Sequence, residues 1–184
     1  MLENLYSFNR KIFILINAHP NADTFHVEAA IWLAEYLIIA FFLILSVYLA
    51  WKHRADKHIY LGVLFSTLIG IGISYLIRKE FHYPRPFVEK LGTHFFEHAP
   101  SPSFPSKHLT SMFSGILFLC WLPATRVFGI GWLLLALSVA WARIYLGIHW
   151  PLDMAGAFLV GLVASALTLS MQTEWVKKTV FRQA

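Results

Sequence analysis

The sequence predicts an all-α fold: a polytopic membrane helix bundle of five transmembrane helices plus an N-terminal interfacial helix. Composition is the first reason. Hydrophobic residues make up 58% of the 184-residue chain and charged residues only 14%, with a mean hydropathy of +0.59. Soluble domains sit near about 45–50% and 25%, so disorder is excluded and a water-soluble globule disfavoured. Distribution is the second reason. Five charge-poor stretches approach the roughly 20 apolar residues that one crossing needs. Lipid offers backbone groups no partners, so each stretch is read as a helix. The short alternating segments of a membrane β-barrel are absent from the sequence.

Residues 2–18 mix Leu5, Phe8, Ile12 and Ile16, at helical spacing, with Glu3, Asn4, Asn9, Arg10 and Lys11. Such a stripe fits a helix lying in the interface. Its apolar run, 12–16, is too short for a signal peptide, and no small-residue cleavage pattern follows. The first span, 31–50, is interrupted only by Glu35 and Ser46, and the second, 59–77, carries no charge. The third, 109–125, is short and has Pro123 near its end. The fourth, 127–148, holds Arg143 close to its far end, and the fifth, 154–171, is uncharged. The whole chain, 1–184, reads as one membrane-embedded domain. Its lone Cys120 excludes an intramolecular disulfide framework and any cysteine-based zinc site.

One connection stands out. The segment 78–107 exceeds the roughly 12–15 residues beyond which loops are usually functional or disordered. Pro84, Pro86, Pro100, Pro102 and Pro105 stiffen it. It shares a face with the turn between the last two spans.

The formal charge of +5 fits a membrane protein, whose basic residues collect on the cytoplasmic side; no nucleic-acid partner is expected. Lys52, Arg54, Lys57, Arg126, Lys177, Lys178 and Arg182 fall on one face. Arg10, Lys11, Arg78, Lys79, Arg85, Lys90, Lys107 and Arg143 fall on the other. If the cations of the candidate site are set aside, the first face predominates. The C-terminus is then expected in the cytoplasm and the site outside.

Three clusters converge on that outer face: Arg78 to Pro86, Phe104 to His108, and Arg143 to Asp153. Charged groups at the ends of membrane helices are costly unless paired or wetted, which favours one shared polar site. Guanidinium forks suit phosphate oxygens. Pro105-Ser106 at a helix start adds free backbone N–H groups and the positive dipole end. His149 and Asp153 lie four apart, so the carboxylate can hold one imidazole nitrogen and leave the other free to attack. His108 supplies a second imidazole suited to protonating a leaving oxygen. The set reads as phosphoryl transfer without an obligatory metal.

These residues resemble the signatures of the type 2 phosphatidic acid phosphatase superfamily: Lys-x6-Arg-Pro, Pro-Ser-x-His and Ser-Arg-x5-His-x3-Asp. The second matches at Pro105, Ser106 and His108. The third matches at Arg143, His149 and Asp153, with Ala142 in place of the leading Ser. The first matches at Arg85-Pro86, with Arg78 at the Lys position and Lys79 beside it. The resemblance implies that His149 attacks phosphorus and forms a phosphohistidine, that Asp153 orients it, and that His108 protonates the departing group. It assigns the phosphate oxygens to Arg85, Arg143, Ser106, and either Arg78 or Lys79. Tyr83-Pro-Arg-Pro-Phe87 and Tyr145-Leu-Gly-Ile-His-Trp-Pro151 are similar in flavour to bacterial undecaprenyl-diphosphate phosphatases of the bacitracin-resistance type.

The function that follows is hydrolysis of undecaprenyl diphosphate to undecaprenyl phosphate and orthophosphate, recycling a cell-wall lipid carrier at a bacterial inner membrane. The same chemistry on phosphatidylglycerol phosphate or phosphatidate, or phosphate transfer to lipid A, is the alternative. A lipid-phosphate binding or transport protein is the reading from another class, and an oriented nucleophile argues against it. No cofactor or metal is expected, and protein partners are not indicated. Glu35 reads either as a functional acid or as a snorkelling one, and His82 as pocket lining or surface. His94 and His98, four apart, mimic a metal pair without a third ligand. Lys107 matches no motif role and reads as a rim residue or headgroup contact.

Overall fold

The computed structural model describes residues 2–52 and 57–181. Among them all regular structure is helical: α1 (Leu2–Ile16), α2 (Thr24–Lys52), α3 (Lys57–Glu80), α4 (Lys107–Trp121), α5 (Arg126–Tyr145) and α6 (Pro151–Phe181). Four helices are long and apolar enough to cross a membrane: α2, α3, α5, and α6 through Thr173. With α4 at 15 residues, this segment falls short of that length. Arg54 and Arg182, used above to read sidedness, lie outside the described residues, as do the side chains of Lys177 and Lys178.

The bundle is built around its shortest member. Every residue from Leu109 to Leu119 of α4 is buried, and α3, α5 and α6 pack around it. Close approach depends on small residues. A Cβ at Gly161 of α6 would sit 2.9 Å from the Phe113 carbonyl carbon of α4, so only glycine lets those backbones meet. The outer helices show the reverse pattern. Trp32, Leu43 and Val47 of α2, Leu68 of α3 and Leu134 of α5 are all exposed. So continuous an apolar surface marks a face meant for lipid. This is a membrane protein.

Helix α1 packs against α5 and α6. It buries Phe13 against Trp150, ring centroids 5.1 Å apart, while Leu5, Phe8, Ile14 and Leu15 stay exposed. Its C-terminal Asn17 holds two distant backbones together. The amide donates to Thr93 O (2.9 Å) and Tyr145 O (3.0 Å), and Oδ1 accepts from Thr93 N–H (2.7 Å).

Several expected boundaries move. The fourth span was expected to reach residue 148, but α5 stops at Tyr145, because Gly147 takes φ 79° to turn the chain. A Cβ there would also lie 2.2 Å from Thr93 O. Helix α2 begins at Thr24, well before residue 31, so Glu35 lies deeper in its helix than one turn. Helix α3 runs to Glu80, which places Arg78 and Lys79 on the helix rather than in the following loop.

Candidate active site

Four helix ends meet at one pole of the bundle. Arg78 comes from the last turn of α3, Ser106 stands just before the start of α4, Arg143 sits in the last turn of α5, and Asp153 in the first turn of α6. The proline-rich loop after α3 folds over them. It is pinned by Ser103 N–H donating to Tyr83 O (2.7 Å) and by Trp150 Nε1–H donating to Pro84 O (2.8 Å).

His149 precedes α6 and is wholly buried. Its Nδ1 lies 2.8 Å from Asp153 Oδ2. With Asp153 ionised the carboxylate accepts only, so Nδ1 carries the proton and the Nε2 lone pair faces Arg85 Nη1. The same Oδ2 accepts from Trp150 N–H at 2.8 Å and from the Ser103 hydroxyl. Three donors on one oxygen fix the carboxylate and, through it, the ring. Burial, reinforced by the positive Arg85 and Arg143, holds the His149 pKa well below the ordinary imidazole value. The imidazole is therefore neutral.

Three buried arginines surround it. Arg85 Nη1 lies 3.0 Å from His149 Nε2 and 3.1 Å from Ile148 O, while Nε donates to Ser101 O at 3.0 Å. Burial first, then the neighbouring Arg78, lowers the Arg85 pKa to about 10, so it remains a cation at neutral pH. Arg78 Nη1 donates to Ser103 O (3.1 Å) and Pro105 O (3.0 Å), and its Nη2 reaches Ser101 Oγ (3.2 Å). Arg143 Nη1 donates to Ala34 O at 2.8 Å, and Nη2 lies 3.4 Å from Glu35 Oε1. Its Nε and Nη2 make no hydrogen bond. Donors buried without acceptors are expensive, and an anion would satisfy them.

Ser106 adds to the same demand. Its hydroxyl is buried, caps nothing and has no hydrogen-bond partner. The first-turn N–H groups of α4 lie just beyond it, the usual anion-binding end of a helix. His108, the second residue of α4, is half-buried and feels the charges of Arg143, His98 and Arg85. Lys79 is exposed while Arg78 is buried, so Arg78 is the cation the fold turns inward. Glu35 pairs with Arg143, and His82 lies exposed.

Sequence reasoning missed three contributors, Ser101, Ser103 and Asn17, and weighed His98 only as half of a metal pair. The His98 ring stands edge-on to His149, centroids 6.4 Å apart. Burial lowers its pKa. His94 instead stacks on Phe87 at 4.2 Å. The density of Pro and Ser in 100–106 was the available signal for the serines. Nothing local marked Asn17.

The chain is similar to several known proteins. The family model described as the PAP2 superfamily matches residues 59–177. The chain is 37% identical over 177 residues to YbjG of Escherichia coli (strain K12), covering 95% of this chain and 85% of the relative. It is 31% identical over 163 residues to the undecaprenyl-diphosphatase BcrC of Bacillus subtilis (strain 168), covering 86% and 81%. Two crystal structures share the fold. LpxE of Aquifex aeolicus superposes with a TM-score of 0.65 at 22% identity, covering 87% of this chain and 93% of that one. The first transmembrane PAP2 type phosphatidylglycerolphosphate phosphatase from Bacillus subtilis gives 0.66 at 18%, covering 94% and 87%.

The lipid-facing helices end around a carboxylate-held histidine and three buried arginines. This chain belongs to the PAP2 superfamily and is a phosphatase of that kind.

Proposed function

We propose that this protein hydrolyses undecaprenyl diphosphate to undecaprenyl phosphate and orthophosphate through a phosphohistidine, recycling a cell-wall lipid carrier. The observation that carries the mechanism is the His149 ring: Nδ1–H is held by Asp153, and Nε2 is unprotonated beside the Arg85 guanidinium. The undecaprenyl-diphosphatase names of relatives support the substrate.

In the first step the terminal phosphoryl group sits among Arg78, Arg85, Arg143 and Ser106. Arg85 then turns from the ring nitrogen to phosphate oxygens. His149 Nε2 forms a bond to phosphorus as the P–O bond to the lipid monophosphate breaks, and His108 supplies the proton to the departing oxygen. Asp153 stabilises the positive ring. In the second step His108 takes a proton from water, the water oxygen bonds to phosphorus, and the P–N bond breaks. Orthophosphate leaves and His149 is restored. Fixed guanidinium and N–H groups aimed at the developing charge supply most of the stabilisation.

The whole chain acts as one domain in a bacterial inner membrane. Helix α4 counts as a fifth crossing, its short length sheltered inside the other four, and α1 rests on the outer interface. The site faces the periplasm or cell exterior, and the C-terminus the cytoplasm. Purified protein in detergent should release orthophosphate from undecaprenyl diphosphate in preference to phosphatidylglycerol phosphate, phosphatidate or a lipid A phosphate. A preference for glycerolipids would reassign the substrate and leave the chemistry standing.

A further inference from the structure

Helix α6 begins two residues after His149, and the residue before it cannot cap it. Pro151, Leu152 and Asp153 open the helix, and Trp150 stands where a capping side chain would be. An indole has a donor and no acceptor, and this one donates to Pro84 O at 2.8 Å. The N–H groups at the start of α6 must therefore find acceptors elsewhere.

Each is met in turn. Trp150 N–H donates to Asp153 Oδ2 at 2.8 Å, the back-reaching half of a capping box. Pro151 has no N–H to satisfy. Asp153 N–H donates to Trp150 O at 3.0 Å. Leu152 N–H donates to Asn9 Oδ1 at 3.0 Å, and Asn9 belongs to α1, 143 residues earlier in the chain. With 1% of its surface exposed, Asn9 is an interior residue of a helix whose Lys11 and Leu15 face outward.

Asn9 also belongs to a row. Residues 9, 13 and 17 are four apart, the spacing of one helix face. Phe13 packs on the Trp150 ring, and Asn17 donates to Tyr145 O. The row thus touches Tyr145, Trp150 and Leu152, on both sides of His149.

We infer that Asn9 is a positioning residue for the reaction: it caps α6 in trans, and the first turn it fixes holds Asp153 and, through Asp153, the His149 ring. This rests on the nucleophile reading above and deepens it. The chain of contacts is short. Asn9 holds the N–H of Leu152, Asp153 is the next residue, and Asp153 Oδ2 lies 2.8 Å from His149 Nδ1. Without the Asn9 acceptor the turn is free to shift. A displacement of about 1 Å in a catalytic group can cost about 10²-fold in rate.

The test asks whether Asn9 acts through Asp153. Asn9→Leu keeps the approximate volume and removes the acceptor. With undecaprenyl diphosphate in detergent it should lower kcat about ten-fold or more and leave KM within about two-fold. Asn9→Asp keeps an acceptor oxygen at the helix N-terminus and should recover most of the loss. In an Asp153→Asn background, Asn9→Leu should cost less than about two-fold, because the contact it protects is already broken. If the leucine is not accommodated in the fold, Asn9→Ala carries the same expectations. An equal loss of kcat in both backgrounds, a loss confined to thermal stability, or no recovery in Asn9→Asp overturns the assignment. Two other results point elsewhere. Turnover surviving in His149→Ala means that the nucleophile reading has failed, and this inference falls with it. Wild type inactive on the diphosphate means that the substrate reading has failed, and the same variants are then read on the glycerolipid phosphate it does hydrolyse.

Discussion

Arg143 and Glu35, on helices α5 and α2, meet at 3.4 Å inside the bundle, with the Arg143 side chain wholly buried. The pair gives the acid within an apolar span a partner. Arg143 also donates to Ala34 O, so α2 fixes one edge of the guanidinium while Nε and Nη2 stay without hydrogen-bond partners. A buried cation needs a counter-charge, and Glu35 supplies part of it without consuming every donor.

Glu35→Gln keeps the shape and removes the charge. The Glu35 side chain is 30% exposed, so the loss should lie between that of a surface pair and a buried one, about 1–2 kcal/mol. The melting transition in detergent should fall accordingly. A double-mutant cycle with Arg143→Gln should give a coupling above about 0.5 kcal/mol. An additive cycle would mean the two side chains act independently.

The nucleophile assignment makes a sharper demand. His149→Ala should leave less than about 1% of wild-type turnover while the protein still inserts and melts normally. Asp153→Asn should cost about 10³-fold or more, because an amide can donate to Nδ1 and so put the proton on the attacking nitrogen. Acid-labile ³²P retained on wild type and absent from His149→Ala, after a quench during turnover, checks the covalent step directly. Turnover surviving in His149→Ala would move the nucleophile elsewhere.

The depressed His149 pKa sets two pH dependences with the same cause. Burial, then Arg85, disfavours the imidazolium in the folded protein. The free-enzyme acid limb of kcat/KM should therefore lie well below 6.5, and residual activity in Arg85→Gln should show that limb moved upward. For stability the sign is equally definite. Below about pH 6.5 the unfolded chain takes up a proton at this residue and the folded chain does not. Folding is weakened as pH falls from there toward the folded pKa. A melting profile from pH 7 to pH 5 should show this slope in wild type and a shallower one in His149→Phe.

How much of this was legible in the sequence depended on range. The helical class, the motif residues and the His149–Asp153 pairing are local or compositional, and the spacing of four was enough to propose the pair. Arg78 against Lys79 could not be decided from a string, because adjacent helical residues differ by about 100° in direction and only packing says which turns inward. The Arg143–Glu35 pair joins residues on helices separated by two others in the chain, and no periodicity connects them. Ser101, Ser103 and His98 lie in a loop whose path is set by long-range hydrogen bonds to Tyr83, Pro84 and Asp153. Gly147 did carry its signal in advance. A glycine four residues after Arg143 marks a chain turn more readily than a continuing helix.

Sidedness is the last expectation, and it follows from the arrangement of ends. The C-termini of α3 and α5 and the N-termini of α4 and α6 share the site pole, so the link between α2 and α3 lies at the opposite pole. Basic residues Lys52 and Lys57 flank that link, and Arg126 begins α5 at the same end. By the positive-inside rule this end is expected in the cytoplasm. A carrier lipid that has delivered its cargo outside would present its diphosphate at the other pole. Cys120→Ser provides a background without native thiols, since Cys120 is the chain's lone cysteine. Single cysteines at exposed Glu97, in the loop over the site, and exposed Lys57 should then respond oppositely to a membrane-impermeant maleimide in intact cells, with any outer membrane made permeable. Glu97→Cys should label at once, and Lys57→Cys only after the inner membrane is opened. The reverse order would put the site in the cytoplasm. The phosphatase chemistry would survive that result, but a role in recycling carrier from the outer face would not.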